Sequence, residues 1–157
     1  MESTLAKNAK LNESKIDHVL QDYPDPFKLK FASIWTQTST GAMVCRANNL
    51  DVYDLLEDEW SRQIAKEAEL FTIVTCGWGA PVEETDDGTP PSEAKGRRRV
   101  RLAVQVSEDG VCSILRFKDT PNEIVVDEGK ARGSLADAVN RLWNDSKKRK
   151  RNKKGKK

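Results

Sequence analysis

Every second residue from Val100 to Val106 is aliphatic, with Arg99, Arg101, Ala103, Gln105 and Ser107 in alternation, and a second apolar run, VCSILRF, follows Glu108-Asp109-Gly110. A period of two on either side of an Asp-Gly turn predicts an antiparallel hairpin over residues 99–107 and 111–117. This alternation puts Arg99 and Arg101 on the solvent face of their strand. LFTIVTC, residues 70–76, is β-branched and aromatic over the length of one strand, and predicts a buried central strand. Short strands are expected at 42–46, after the polar turn TQTSTG, and at 123–126, after a turn at 118–122 that holds Pro121. About five strands result.

Helical spacing appears elsewhere. Ile16, Val19, Leu20 and Tyr23 share a face, predicting a helix over about 13–22 that stops before Pro24 and Pro26. Residues 25–37 carry both periods: Phe27, Leu29 and Phe31 alternate, whereas Phe27, Phe31, Ile34 and Trp35 share a helical face. Asp25 as N-cap with Pro26 at the first position favours helix. A longer helix is expected from Asn48 or Asn49 to about Ala68, with Asp51 and Asp54 in its first turn and Tyr53, Leu56, Trp60 and Ile64 facing inward. The last helix opens at Gly133-Ser134, with Ser134 and Asp137 spaced as a capping box and Leu135, Val139, Leu142 and Trp143 on one face, and closes near Asp145.

Between the central strand and the hairpin, residues 77–96 hold Gly77, Gly79, Pro81, Gly88, Pro90, Pro91 and Gly96 among the acids Glu83, Glu84, Asp86, Asp87 and Glu93. A loop of this length is uncommon in a compact domain and marks a candidate functional segment. The order of elements gives the class α+β: a single two-layer domain, a mainly antiparallel sheet with covering helices. The strand–helix–strand unit over 42–76 offers one parallel pair. Residues 1–10 read as a flexible arm, 11–145 as the domain and 146–157 as a disordered basic C-terminal tail.

Charge changes this picture more than composition does. The chain has 157 residues, 37% hydrophobic and 33% charged, and a formal net charge of +2. From Lys147 to Lys157 it carries nine Lys or Arg and no acid, so eighteen basic groups face twenty-five acidic ones in the rest. An acidic body wears a basic end. No apolar run is long enough for a membrane span, and MESTLAKNAK lacks the apolar core of a secretory signal, so a cytoplasmic protein without membrane contact is expected. Cys45, Cys76 and Cys112 are odd in number and far apart, which argues against a disulfide framework and for small buried hydrophobes.

Catalytic and cofactor chemistry finds little support. Gly77-Trp78-Gly79 begins like a dinucleotide loop, but Val82 stands where the third glycine belongs. EETDDG, residues 83–88, lacks the closing glutamate of a calcium loop, with Ala94 in that place. One histidine, His18, and three dispersed cysteines give no zinc spacing and only a weak nucleophile–base pairing for Cys76 or Cys45. A small enzyme at the mouth of the 77–96 loop, with Cys76, Trp78 and Arg99, is the remaining catalytic option. No catalytic residue, metal or cofactor is therefore expected, and the chain reads as a non-enzyme.

The strongest functional signal is the basic end: Lys147, Lys148, Arg149, Lys150, Arg151, Lys153, Lys154, Lys156 and Lys157. Polyanions are its natural partners, and nine phosphate contacts on duplex DNA would give a salt slope of up to about −8. It has no aromatic residue to stack on bases, so such binding is tolerant of sequence. Arg97, Arg98, Arg99 and Arg101 form a second basic cluster. The expected function is an accessory nucleic-acid-associated binding protein, its partner DNA, RNA or a nucleoprotein complex. The alternative is a protein–protein interaction or regulatory module whose basic end serves solubility or import.

Residues 75–117, TCGWGAPVEETDDGTPPSEAKGRRRVRLAVQVSEDGVCSILRF, followed by GSLADAVNRLW at 133–143, resemble small uncharacterised proteins of actinobacteria and their phages. The resemblance implies a bacterial or phage origin and no activity, catalytic residue or cofactor.

Overall fold

The computed structural model describes residues 2–80, 82–128 and 134–155, with the side chains of all but 82, 128, 134 and 148–155. In chain order the elements are α1 (Thr4–Leu20), β1 (Ala32–Gln37), β2 (Met43–Leu50), α2 (Val52–Glu57), α3 (Glu59–Glu67), β3 (Leu70–Gly79), β4 (Arg98–Ser107), β5 (Gly110–Phe117), β6 (Thr120–Glu128) and α4 (Ser134–Gly155). Two single-turn 3₁₀ helices, Val82–Glu84 and Pro91–Glu93, lie between β3 and β4. The six strands form one sheet in the order β2-β1-β3-β4-β5-β6, antiparallel throughout. The class is α+β, as expected.

The strand beyond the expected five is β1, where residues 25–37 offered two periods. Asp25 does accept a backbone hydrogen bond, from Phe27 N at 2.9 Å, but this closes a local turn and starts no helix. β1 sits inside the sheet with both faces covered, so its residues are buried in succession and show no alternation. Its position between β2 and β3 also removes the parallel pair expected over 42–76.

Helices cover both faces, one layer beyond the expected two. On one side α2, α3 and α4 bury Leu55, Leu56, Ile64, Ala65, Leu135, Val139, Leu142 and Trp143 against Ile34, Phe71, Ile73, Val104 and Val106. On the other, α1 lays Ala9, Ile16 and Leu20 on Trp35, Val74, Ala103, Cys112 and Ile114. The residues between the aliphatics of β4 therefore meet a helix and not solvent.

Three helix boundaries differ from expectation. α1 begins at Thr4, capped by Ser3 Oγ on Ala6 N at 3.0 Å, so the expected N-terminal arm is helical. Its first two turns bury Ala6 and Ala9, whose small side chains bring the helix close to the sheet and carry little hydrophobic signal. The helix expected from 48 to 68 is two, broken at Asp58, which ends α2 and caps α3 by accepting from Trp60 N. The break turns Tyr53 and Trp60 outward, Trp60 to 53% exposure, and leaves Leu55, Leu56, Ile64 and Ala65 as the inward set.

α4 does not close near Asp145. Ser146 is buried and donates to Trp143 O, and Lys147 Nζ donates to Lys66 O (3.1 Å) and Ala68 O (2.7 Å), capping the last turn of α3. Ser146 and Lys147 thus pack with the body of the protein. Helical backbone continues to Gly155; the side chains from Lys148 on, residues 156 and 157, and the expected Gly133-Ser134 cap lie outside the described residues.

Candidate nucleic-acid interface

The expected hairpin forms in register: Ser107 pairs with Gly110, and Gly110 takes the left-handed φ of +127° that the turn requires. Upstream, β3 runs beyond Cys76 and pairs Gly77, Trp78 and Gly79 with Val100, Arg99 and Arg98. The Gly-Trp-Gly unit that opened the expected loop is strand. Its register brings Trp78 opposite Arg99, on the face that α1 covers further along.

At this end of the sheet Trp78 is 39% exposed. The Arg99 guanidinium lies 4.7 Å from its ring centroid and that of Arg97 5.1 Å away. Arg97 Nη1 also donates to Ala94 O at 3.2 Å. Among the described residues neither arginine forms an ion pair with a carboxylate, and Arg99 Nε has no hydrogen-bond partner. Both are held by an aromatic ring, which leaves their charge uncompensated.

The other arginines of the cluster are committed elsewhere. Arg98 points to the opposite face, over Phe117 at 4.0 Å, and forms a bidentate pair with Asp119 (2.7 and 3.0 Å). That pair holds the Asp119 carboxyl below its ordinary pKa. Arg101, expected on the solvent face, is 2% exposed. It donates to Asp17 Oδ1 on α1 and to Pro26 O, and its guanidinium lies 5.0 Å from the Phe27 ring. Beside it, Arg116 forms a bidentate pair with the buried Glu13 (2.5 and 2.9 Å). Asn12 Nδ2 donates to Gln105 Oε1 at 2.8 Å, so α1 docks through a buried polar seam as well as an apolar one.

This seam eluded the sequence reading, although its signal was present. Glu13 falls three and four residues from Ile16 and Ala9, on the face that Leu20 continues. Lys147 is likewise withdrawn: its ammonium serves the end of α3 and stacks on Trp143 at 4.3 Å. Of the residues expected to meet phosphate, the described body therefore presents Arg97 and Arg99, together with Trp78.

The acidic segment holds part of itself in place. Glu84 Oε1 accepts from Gly96 N at 2.6 Å, and Asp87 Oδ1 accepts from Thr89 N and Oγ1, which keeps the Asp87 carboxyl below its ordinary pKa. Among the described residues no three His, Cys, Asp or Glu side chains gather as a metal site. Cys45, Cys76 and Cys112 are free thiols, and Cys45 is exposed, against the expectation that all three are buried. Burial pushes the Cys76 thiol up, its sulfur 3.7 Å from Pro26 O, and His18 is exposed on α1. Among the described residues no helix is long and apolar enough to cross a membrane. No protein-family model, curated protein or solved structure matches the chain.

Proposed function

We propose that the chain is an accessory nucleic-acid-associated binding protein without catalytic activity. The observation that carries this reading is the half-exposed Trp78 ring bearing two guanidinium groups that form no ion pair with a carboxylate among the described residues. An aromatic plane with adjacent cations suits an unpaired base and its flanking phosphates. The eight cations from Lys148 to Lys157 add phosphate affinity that is independent of sequence. The body contributes a local contact and the basic end a diffuse one.

The test is fluorescence anisotropy of labelled single-stranded DNA, duplex DNA and RNA with the full chain and two variants, Trp78→Ala and Arg97→Gln/Arg99→Gln. Stacking on one base is worth about 1–3 kcal/mol. Trp78→Ala therefore lowers affinity for single strands by about five-fold or more and leaves duplex binding nearly unchanged. Absence of binding to all three polymers near physiological salt overturns the reading and favours the protein-interaction module.

A further inference from the structure

A cleft lies on the α1 face, at the β2 edge of the sheet. It measures about 400 Å³ and is bounded by the C-terminal end of α1, the segment over residues 23–31, and the paired strands β1 and β2. Its wall is mainly apolar: Leu20, Tyr23, Leu29, Phe31 and Trp35. This volume falls within the range of small-molecule sites. Tyr23 and Phe31 stay exposed at its mouth, 45% and 37%, although both are large and apolar in body.

The polar groups around the cleft select what it can hold. Lys28 and Lys30 flank the inward Leu29, both line the cleft, and among the described residues neither forms an ion pair. The one carboxylate at the rim, Asp25, is taken by Lys118 at 2.8 Å, which lowers its pKa and cancels its charge. Ser33 Oγ already accepts from Trp35 Nε1 at 2.7 Å. Asn48 and the Tyr23 hydroxyl are the uncharged polar side chains left along the lining, too few for the several donors and acceptors of a sugar or nucleobase. A cationic ligand would meet two ammonium groups, Lys30 lying 5.2 Å from the Phe31 ring centroid and Lys28 sharing the field of an Asp25 already paired with Lys118. An apolar chain ending in a single anion meets both the wall and the rim.

We infer that this cleft is a binding site for an amphipathic carboxylate, an aliphatic acid of about ten to twelve carbons whose chain lies on Leu20, Leu29 and Trp35 and whose carboxylate reaches Lys28 and Lys30. The site is separate from Trp78 and independent of the nucleic-acid reading. Cys45 reports on it directly, because this exposed thiol lines the cleft, whereas Cys76 and Cys112 do not.

The test titrates the full chain with dodecanoate below its micelle-forming concentration and measures the alkylation rate of Cys45 by peptide mass spectrometry, with Cys76 as internal reference. Dodecylamine and dodecan-1-ol serve as cationic and neutral controls. The expected result is saturable protection of Cys45 alone, about tenfold weaker binding for Lys28→Gln/Lys30→Gln, and weaker binding of both controls. Both lysines are exposed, so the variant folds, and unchanged Cys112 protection verifies that. No protection of Cys45, protection by dodecylamine at equal concentration, or an unaltered affinity of the double variant overturns the inference.

Discussion

Glu13 has the most consequential side chain in the α1 seam. It is 3% exposed, bidentate to Arg116 and 3.5 Å from Arg101, so two guanidinium groups depend on one buried carboxylate and on Asp17 beside it. Removing one member of a buried pair leaves an uncompensated charge, at a cost of about 3–5 kcal/mol. Glu13→Gln is accordingly expected to lower the urea midpoint strongly, and a loss below about 1 kcal/mol would show that the guanidinium groups find other partners. Arg101 was legible as part of an alternating strand and illegible as a buried cation. Alternation reports two different faces, and the inference that one is wet fails when helices cover both. The thiols follow the same logic: desolvation pushes Cys45 and Cys76 up, so both stay protonated at neutral pH and alkylate more slowly than a free thiol, the rate rising only at more alkaline pH.

At the scale of elements, the hairpin and the apolar face of α4 were readable because each combines a strong period with turn chemistry or bulk aliphatics. α1 was not readable in its first turns, where Ala6, Ala9, Asn12 and Glu13 form the buried face and none is a large hydrophobe. Its cap is testable: Ser3→Ala removes the oxygen that accepts from Ala6 N and is expected to cost about 1 kcal/mol, measured by chemical denaturation. The boundary of α4 was misplaced because a lysine-rich run reads as solvated, yet Lys147 closes the C-terminal carbonyls of α3. Lys147→Ala should therefore destabilise the fold while leaving the salt dependence of nucleic-acid binding unchanged. A fall in that salt slope by about one unit would instead assign Lys147 to phosphate.

For the whole molecule, charge is organised by position more than by amount. Interior arginines are matched to α1, Arg98 and Lys118 are matched at the surface, Arg97 and Arg99 form no ion pair among the described residues, and the sequence from 148 to 157 adds eight cations and no acid. Lys118 and Arg98 hold Asp25 and Asp119 below the ordinary carboxylate pKa. A lowered folded pKa contributes stability in full above the unfolded value, and that contribution is lost as pH falls through the folded one. Both pairs are exposed, so a shallow decline in acid below about pH 4 is expected, and Asp119→Asn should flatten it. The basic end was legible as a run of cations, and density of charge alone is what makes polyanions its expected partners. Trp78 and Arg99 were legible as neighbours at the mouth of a loop, but not as cross-strand partners with Arg97 beside them, because that depends on β3 continuing through two glycines into register with β4.

The most direct measurement of the central claim is the salt dependence of single-strand binding by the full chain, compared with a variant in which the eight Lys and Arg residues from 148 to 157 are replaced by Gln. The full chain is expected to bind with a steep slope, bounded at about −6 for eight contacts on a single strand, and the variant to bind weakly, with a shallow slope that Arg97→Gln/Arg99→Gln abolishes. Identical affinities and slopes for the two proteins, or no binding by either near physiological salt, would contradict it.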